Sequence, residues 1–81
     1  MVELNIINAL SKKSYEIEWI EFNTPHGSYV VLPHHAPMIL RLSERMPITF
    51  TLTSGAQESI TPASAIAHIT RDKIDVLIRE Y

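Results

Sequence analysis

Three of the four histidines in this 81-residue chain, His26, His34 and His35, fall within ten positions of one another. Imidazole is the commonest zinc ligand, so a metal-dependent enzyme built on this trio is the first chemistry to weigh. Adjacent side chains on an extended chain point to opposite sides, however, and His34 and His35 do not easily share one ion. A structural or interface role suits them better. His68 stands alone opposite the apolar Ala67 face, as an exposed or hydrogen-bonded strand residue would. Glu16 and Glu18 share a face at strand spacing, with Glu21 close behind. Paired carboxylates do acid–base work only in a pocket that drives their pKa values apart, and a solvated sheet face is the expectation here. Gly27-Ser28 and Ser54-Gly55 are not phosphate loops, because two glycines cannot build a glycine-rich turn between a strand and a helix. The lack of cysteine removes disulfides, thiolate ligands and thiol nucleophiles, and fits a reducing compartment. No catalytic, cofactor, metal or small-molecule site is expected.

Composition narrows the class further. Apolar residues make up 46% and charged residues 20%, which suits a globular core and argues against disorder. Nine acidic and seven basic residues, with no basic run longer than Lys12-Lys13, are a poor footprint for nucleic acid or an anionic membrane. No apolar stretch is long enough to span a bilayer and the start carries no leader pattern, so the expectation is one cytosolic domain over 1–81. A domain this small buries only about 60% of its unfolded surface, which leaves a thin margin of stability.

The elements are strands. Ile48, Phe50 and Leu52 alternate with Thr49, Thr51 and Thr53, giving one apolar face and one hydroxyl ladder that carries no chemistry of its own. Ser54-Gly55-Ala56 turns the chain, and Gln57 to Ile60 returns as the partner. A second hairpin sets Ala65, Ala67 and Ile69 against Ile74, Val76 and Ile78 across a polar Arg71-Asp72-Lys73 turn. Leu4 and Ile6 mark a short first strand, followed by a polar connection over Ser11 to Ser14. Tyr15, Ile17 and Trp19 alternate, but Ile20 and Phe22 change parity, which predicts a β-bulge near Trp19. Tyr15 and Trp19 are expected to fill the core or cover an edge rather than form a ligand platform. Gly27 to Leu32 and Met38 to Leu42 are further strands. Prolines at 25, 33, 37, 47 and 62 leave no room for a long helix. Seven to eight short strands predict an all-β fold, a small two-sheet sandwich.

The segment from Gly27 to Ile39 resembles the signature of the epsilon subunit of F-type ATP synthases, in its N-terminal domain. Val31-Leu32-Pro33 and His35-Ala36-Pro37 keep that family's V-L-P-G-H-A-P in register. Leu4-Asn5-Ile6-Ile7 is similar to its opening strand, Tyr15 to its following aromatic, and Asp72 to Leu77 to its closing N-K-V-x-V-L. His34 replaces the motif's glycine, Ser28 an acidic residue, and Ala63-Ser64-Ala65-Ile66 the family's S-G-G-F. The family continues into two C-terminal helices that bind ATP and brake the rotor; the sequence ends at Tyr81, so neither activity is implied.

The resemblance implies a non-catalytic rotor part that couples the gamma subunit to the membrane ring of c subunits, at the cytoplasmic face of the inner membrane. Its gamma-facing surface corresponds to His35, Ala36, Pro37, Met38 and Ile39, with Asn8 nearby. Its ring-facing tip corresponds to His26, Gly27 and Ser28. Ser28 offers only a hydroxyl where the family has a carboxylate, which implies a weaker or different contact there. A stand-alone interaction module outside any ATP synthase is the rival reading from another class.

Overall fold

Alternation of apolar and polar residues makes strands wherever it occurs in this chain, and the computed structural model, which describes residues 2–80, contains eight of them. They are β1 (Val2–Ile7), β2 (Lys12–Thr24), β3 (Gly27–Val31), β4 (Met38–Arg41), β5 (Ile48–Leu52), β6 (Gln57–Ile60), β7 (Ser64–Ile69) and β8 (Lys73–Arg79). The first and last residues of the expected 1–81 domain lie outside the described residues.

β2 organises the architecture. Its first part, Lys12 to Ile17, pairs antiparallel with β1, and its last part, Ile20 to Thr24, pairs with β3 on the same edge. The opposite edge, Ile17 to Glu21, carries β5, which carries β6 in turn. Beyond β1 the ladder continues through β8, β7 and β4. The β1–β8 pairing is parallel, and every other pairing is antiparallel. One layer is therefore β4-β7-β8-β1 with the start of β2, and the other is the end of β2 with β3, β5 and β6. The hydrogen-bonded ladder is continuous, because β2 belongs to both layers.

The inner faces meet in one core. Leu4, Ile69 and Val76 from the first layer and Ile20, Phe22 and Phe50 from the second are all 0% exposed and belong to one hydrophobic cluster. Such burial requires a layer on each side, and the 20 Å short dimension fits two sheets about 10 Å apart with their outer side chains. Tyr15 ties the two halves of the ladder, its ring centroid 5.0 Å from that of Phe50.

The bulge lies where the parity change placed it. Ile17 pairs with Leu52 and Trp19 with Thr51, leaving Glu18 as the extra residue. Ile17, Ile20 and Phe22 thereby all face the core. Trp19 does not: it pairs across the ladder with outward-facing Thr51 and is absent from the core cluster. Of the two places expected for Trp19, core or edge, the core is ruled out, because parity switches one residue before it rather than after it.

Two further differences concern the start of the chain. Lys12 to Ser14, expected as a connection, already belong to β2, and the link shrinks to Asn8–Ser11. There the Asn8 side-chain oxygen accepts from the Leu10 and Ser11 amides at 2.9 and 2.8 Å, replacing a longer loop with an Asx turn. Asn5, on the outer face of β1, is 0% exposed. Its amide nitrogen donates to Glu3 Oε2 and Asp75 Oδ1, each at 2.9 Å, and its oxygen accepts from the Ser14 hydroxyl at 2.6 Å. Full pairing is what makes a buried amide tolerable.

Candidate functional site

The loop after β3 is shaped by its prolines and by two histidines with different tasks. His34 adopts φ 64°, the left-handed region in which a side chain is strained. Its Nδ1 lies 3.6 Å from Asp72 Oδ1 in the β7–β8 turn, an exposed contact that is an ion pair only when the imidazole is protonated. His35 turns the other way. Its Nδ1 is 2.8 Å from the Ala36 carbonyl, which can only accept, so Nδ1 carries the proton and Nε2 accepts from the Tyr29 hydroxyl at 3.2 Å. The two rings meet edge to face, with centroids 5.7 Å apart. The loop is thereby pinned to β3, and Ala36 and Pro37 are left exposed.

β4 then divides its residues between two faces. Met38 and Leu40 pack against the core from its border, whereas Ile39 points out and is 70% exposed. Of the two large apolar residues on the gamma-facing surface that the resemblance implies, the core claims Met38 and leaves Ile39. The neighbouring strands continue the exposed surface: Ile66 of β7 is 51% exposed, and Leu77 of β8, its register partner, is 52% exposed. Ile7 of β1 pairs with Leu77 in turn and is half-buried. Ile66, Leu77 and Ile7 thus form an apolar strip across three strands on the outer face of the first layer; Arg41 continues that row on β4, and Ile39 stands one row away, diagonal to Ile66. Sequence reasoning missed Ile66, Leu77 and Ile7 as surface residues; the signal was their opposite parity to Ala65, Val76 and Ile6.

The tip formed by Pro25, His26, Gly27 and Ser28 is exposed. Thr24 braces it, donating from its hydroxyl to the Gly27 carbonyl at 2.8 Å while its oxygen takes the His26 amide at 3.2 Å. Gly27 adopts φ 117°, which suits a residue without a side chain. Asn23, at the base of the tip, binds the Pro47 carbonyl through its side chain and the Ser43 amide through its own carbonyl. Arg45, between them, donates its amide to Ala63, beside the end of β8. The tip therefore stands at the end of the sandwich opposite His34 and the β7–β8 turn. Asn8 lies toward this tip end too, lining a hollow with Ile78 and Glu80.

The structure does not bring the three histidines together. His26 sits on the tip, His34 faces Asp72 and His35 faces Tyr29. Among the described residues no three His, Asp or Glu side chains are grouped to hold a metal ion. Glu16 and Glu18 are exposed on β2, and His68 is exposed on β7 between Ile39 and Asp75. What the arrangement offers is a docking surface, with an apolar strip, a pinned loop and a separate turn-built tip.

No protein-family model matches the chain, and no curated protein matches it. Solved structures do. A chain of the Euglena gracilis mitochondrial ATP synthase assembly of OSCP, F1 and c-ring superposes with a TM-score of 0.88 at 17% identity, over 98% of this chain and 51% of that one. A chain of the central stalk and c-ring of the Tetrahymena thermophila mitochondrial ATP synthase gives 0.82 at 9% identity, over 98% of this chain and 63% of that one. At such identities the likeness establishes a shared fold: this chain has the β-sandwich found in chains of rotary ATP synthases. It spans about half to two thirds of the length of those chains.

Proposed function

We propose that the chain is a non-catalytic rotor part of an F-type ATP synthase, of the epsilon-subunit kind, seated between a gamma subunit and the membrane ring. The observation that carries this reading is the apolar strip of Ile66, Leu77 and Ile7, which exposed Ile39, diagonal to Ile66, links to the preformed Ala36–Pro37 edge. Contiguous exposed apolar surface on a small domain marks a protein contact. The loop beside it is held by prolines and by His35, so binding orders little. The likeness to chains of ATP synthase stalk and ring assemblies supports the same partners. In this reading Ala36, Pro37 and Ile39 face gamma, held from behind by His35 and Met38 and with Asn8 at the far margin of that contact, and His26, Gly27 and Ser28 face the polar loops of the c subunits.

The work is mechanical. A two-layer core packed to crystal-like density resists deformation, as torque transfer requires. No described helix is long and apolar enough to cross a membrane. In this reading the domain acts at the cytoplasmic face, as a peripheral part of the complex. The test is co-purification with the gamma subunit of the same organism. Wild type should bind, and Ala36→Trp should not, while keeping its circular dichroism. A wild type that fails to bind favours the stand-alone interaction module instead; a Trp variant that binds normally moves the contact away from this loop.

A further inference from the structure

The opposite outer face, that of β2, β3, β5 and β6, is built differently. The bulge at Glu18 turns Trp19, the chain's single tryptophan, out of the core and onto this face. Opposite it stands Thr51, and one row along β2 stands Glu21, flanked by Val30 on β3 and Thr49 on β5. Trp19 and Glu21 are two residues apart on one face of a strand, about 7 Å. Both are half-buried, and neither side chain has a hydrogen bond, ion pair or ring contact among the described residues.

Charge is segregated about this face. From Ser14 onward β2 carries Glu16, Glu18 and Glu21, and that stretch together with β3, β5 and β6 contains no Lys or Arg. The seven basic residues lie at the start of β2, on β4 and β8, and in the loops at 45 and 71. A partner seated here meets an indole plane beside unpaired carboxylates with no cation to repel its own. Arginine or lysine is the side chain such a surface fits: the cation lies over the tryptophan face and its donors reach the carboxylate one row away. Tryptophan and arginine are also the residues that most often dominate binding at interfaces.

We propose that the Trp19–Glu21 face is a second protein-docking surface, whose occupant presents an arginine- or lysine-bearing segment. It lies on the other side of the sandwich from the apolar strip, so the domain holds two partners at once, one by apolar contact and one by a cation against tryptophan and carboxylate. The surface does not depend on the identity of the partner on the apolar strip.

The test is a nuclear magnetic resonance titration of the 81-residue chain at low ionic strength with the amidated peptide Gly-Arg-Gly-Arg-Gly. Saturable shifts should appear at the amides of Glu18, Trp19, Glu21, Thr49 and Thr51 and at the Trp19 indole. They should weaken as salt is added. Glu21→Gln should reduce the affinity at least fivefold and Trp19→Leu likewise, while Glu80→Gln, just past the end of β8, should change it less than twofold. Failure to saturate, shifts centred on the first layer, or equal losses from Glu21→Gln and Glu80→Gln would overturn the proposal. So would shifts across this face when the chain alone is concentrated, which would assign it to a second copy, or shifts there on adding a neutral oligosaccharide.

Discussion

His34 occupies a backbone conformation that costs a side-chain-bearing residue about 1–2 kcal/mol. Replacing it by Gly removes that strain, though it also loosens the unfolded chain, so His34→Gly should melt cooperatively within a few degrees of wild type. His34→Val, whose branched Cβ tolerates the left-handed region worst, should lose about 1–2 kcal/mol in urea denaturation. Equal stability for the two variants would show that the loop relaxes to another backbone. The histidine-for-glycine replacement was legible in the sequence as a departure from the motif; its strain was not, because dihedral angles are fixed by the surrounding loop. Asn5 was illegible for a related reason. Its burial on the outer face depends on Ser14 from β2 and Asp75 from β8, brought beside it by pairings distant in sequence. Asn5→Ala should cost about 1–3 kcal/mol, read from denaturant unfolding, since it strips three hydrogen bonds from one buried site. A neutral result would mean that water replaces the amide.

Strand phase is the claim at the level of elements. Phe50 is 0% exposed at the middle of β5, and truncating a buried phenylalanine costs about 3–5 kcal/mol, comparable with the whole stability of a small domain. Phe50→Ala should therefore be largely unfolded or insoluble, whereas Thr51→Ala on the other face should stay within about 0.5 kcal/mol of wild type by thermal or urea melting. Similar damage from both would refute the assigned phase. β5, β6, β7 and β8 were readable because strict alternation and short turns leave a single register. In β2 the bulge was readable and its consequence for Trp19 was not, since the pattern locates a parity change only to within a residue. The parallel pairing of β1 with β8 joins the two ends of the chain and leaves no local signal in either strand.

For the whole molecule, the sequence held the two-layer fold and the loop that frames Ala36, but not the surface that completes a docking site. Ile66 and Leu77 look like core residues in composition, and only the assembled sheet shows that they share an exposed row with Ile7. The same assembly separates Asn8 from the His35–Pro37 loop, which lies at the other end of the sandwich. If the strip is the contact, charge placed within it must be desolvated without a partner on association, a penalty that the free domain does not suffer. The direct measurement is calorimetric titration of the gamma subunit from the same organism with wild type and with the double variant Ile66→Glu, Leu77→Glu, each first checked for a cooperative melt. The account predicts one-to-one binding by wild type and at least a tenfold loss for the folded double variant. No binding by wild type, or unchanged affinity in the variant, would contradict it.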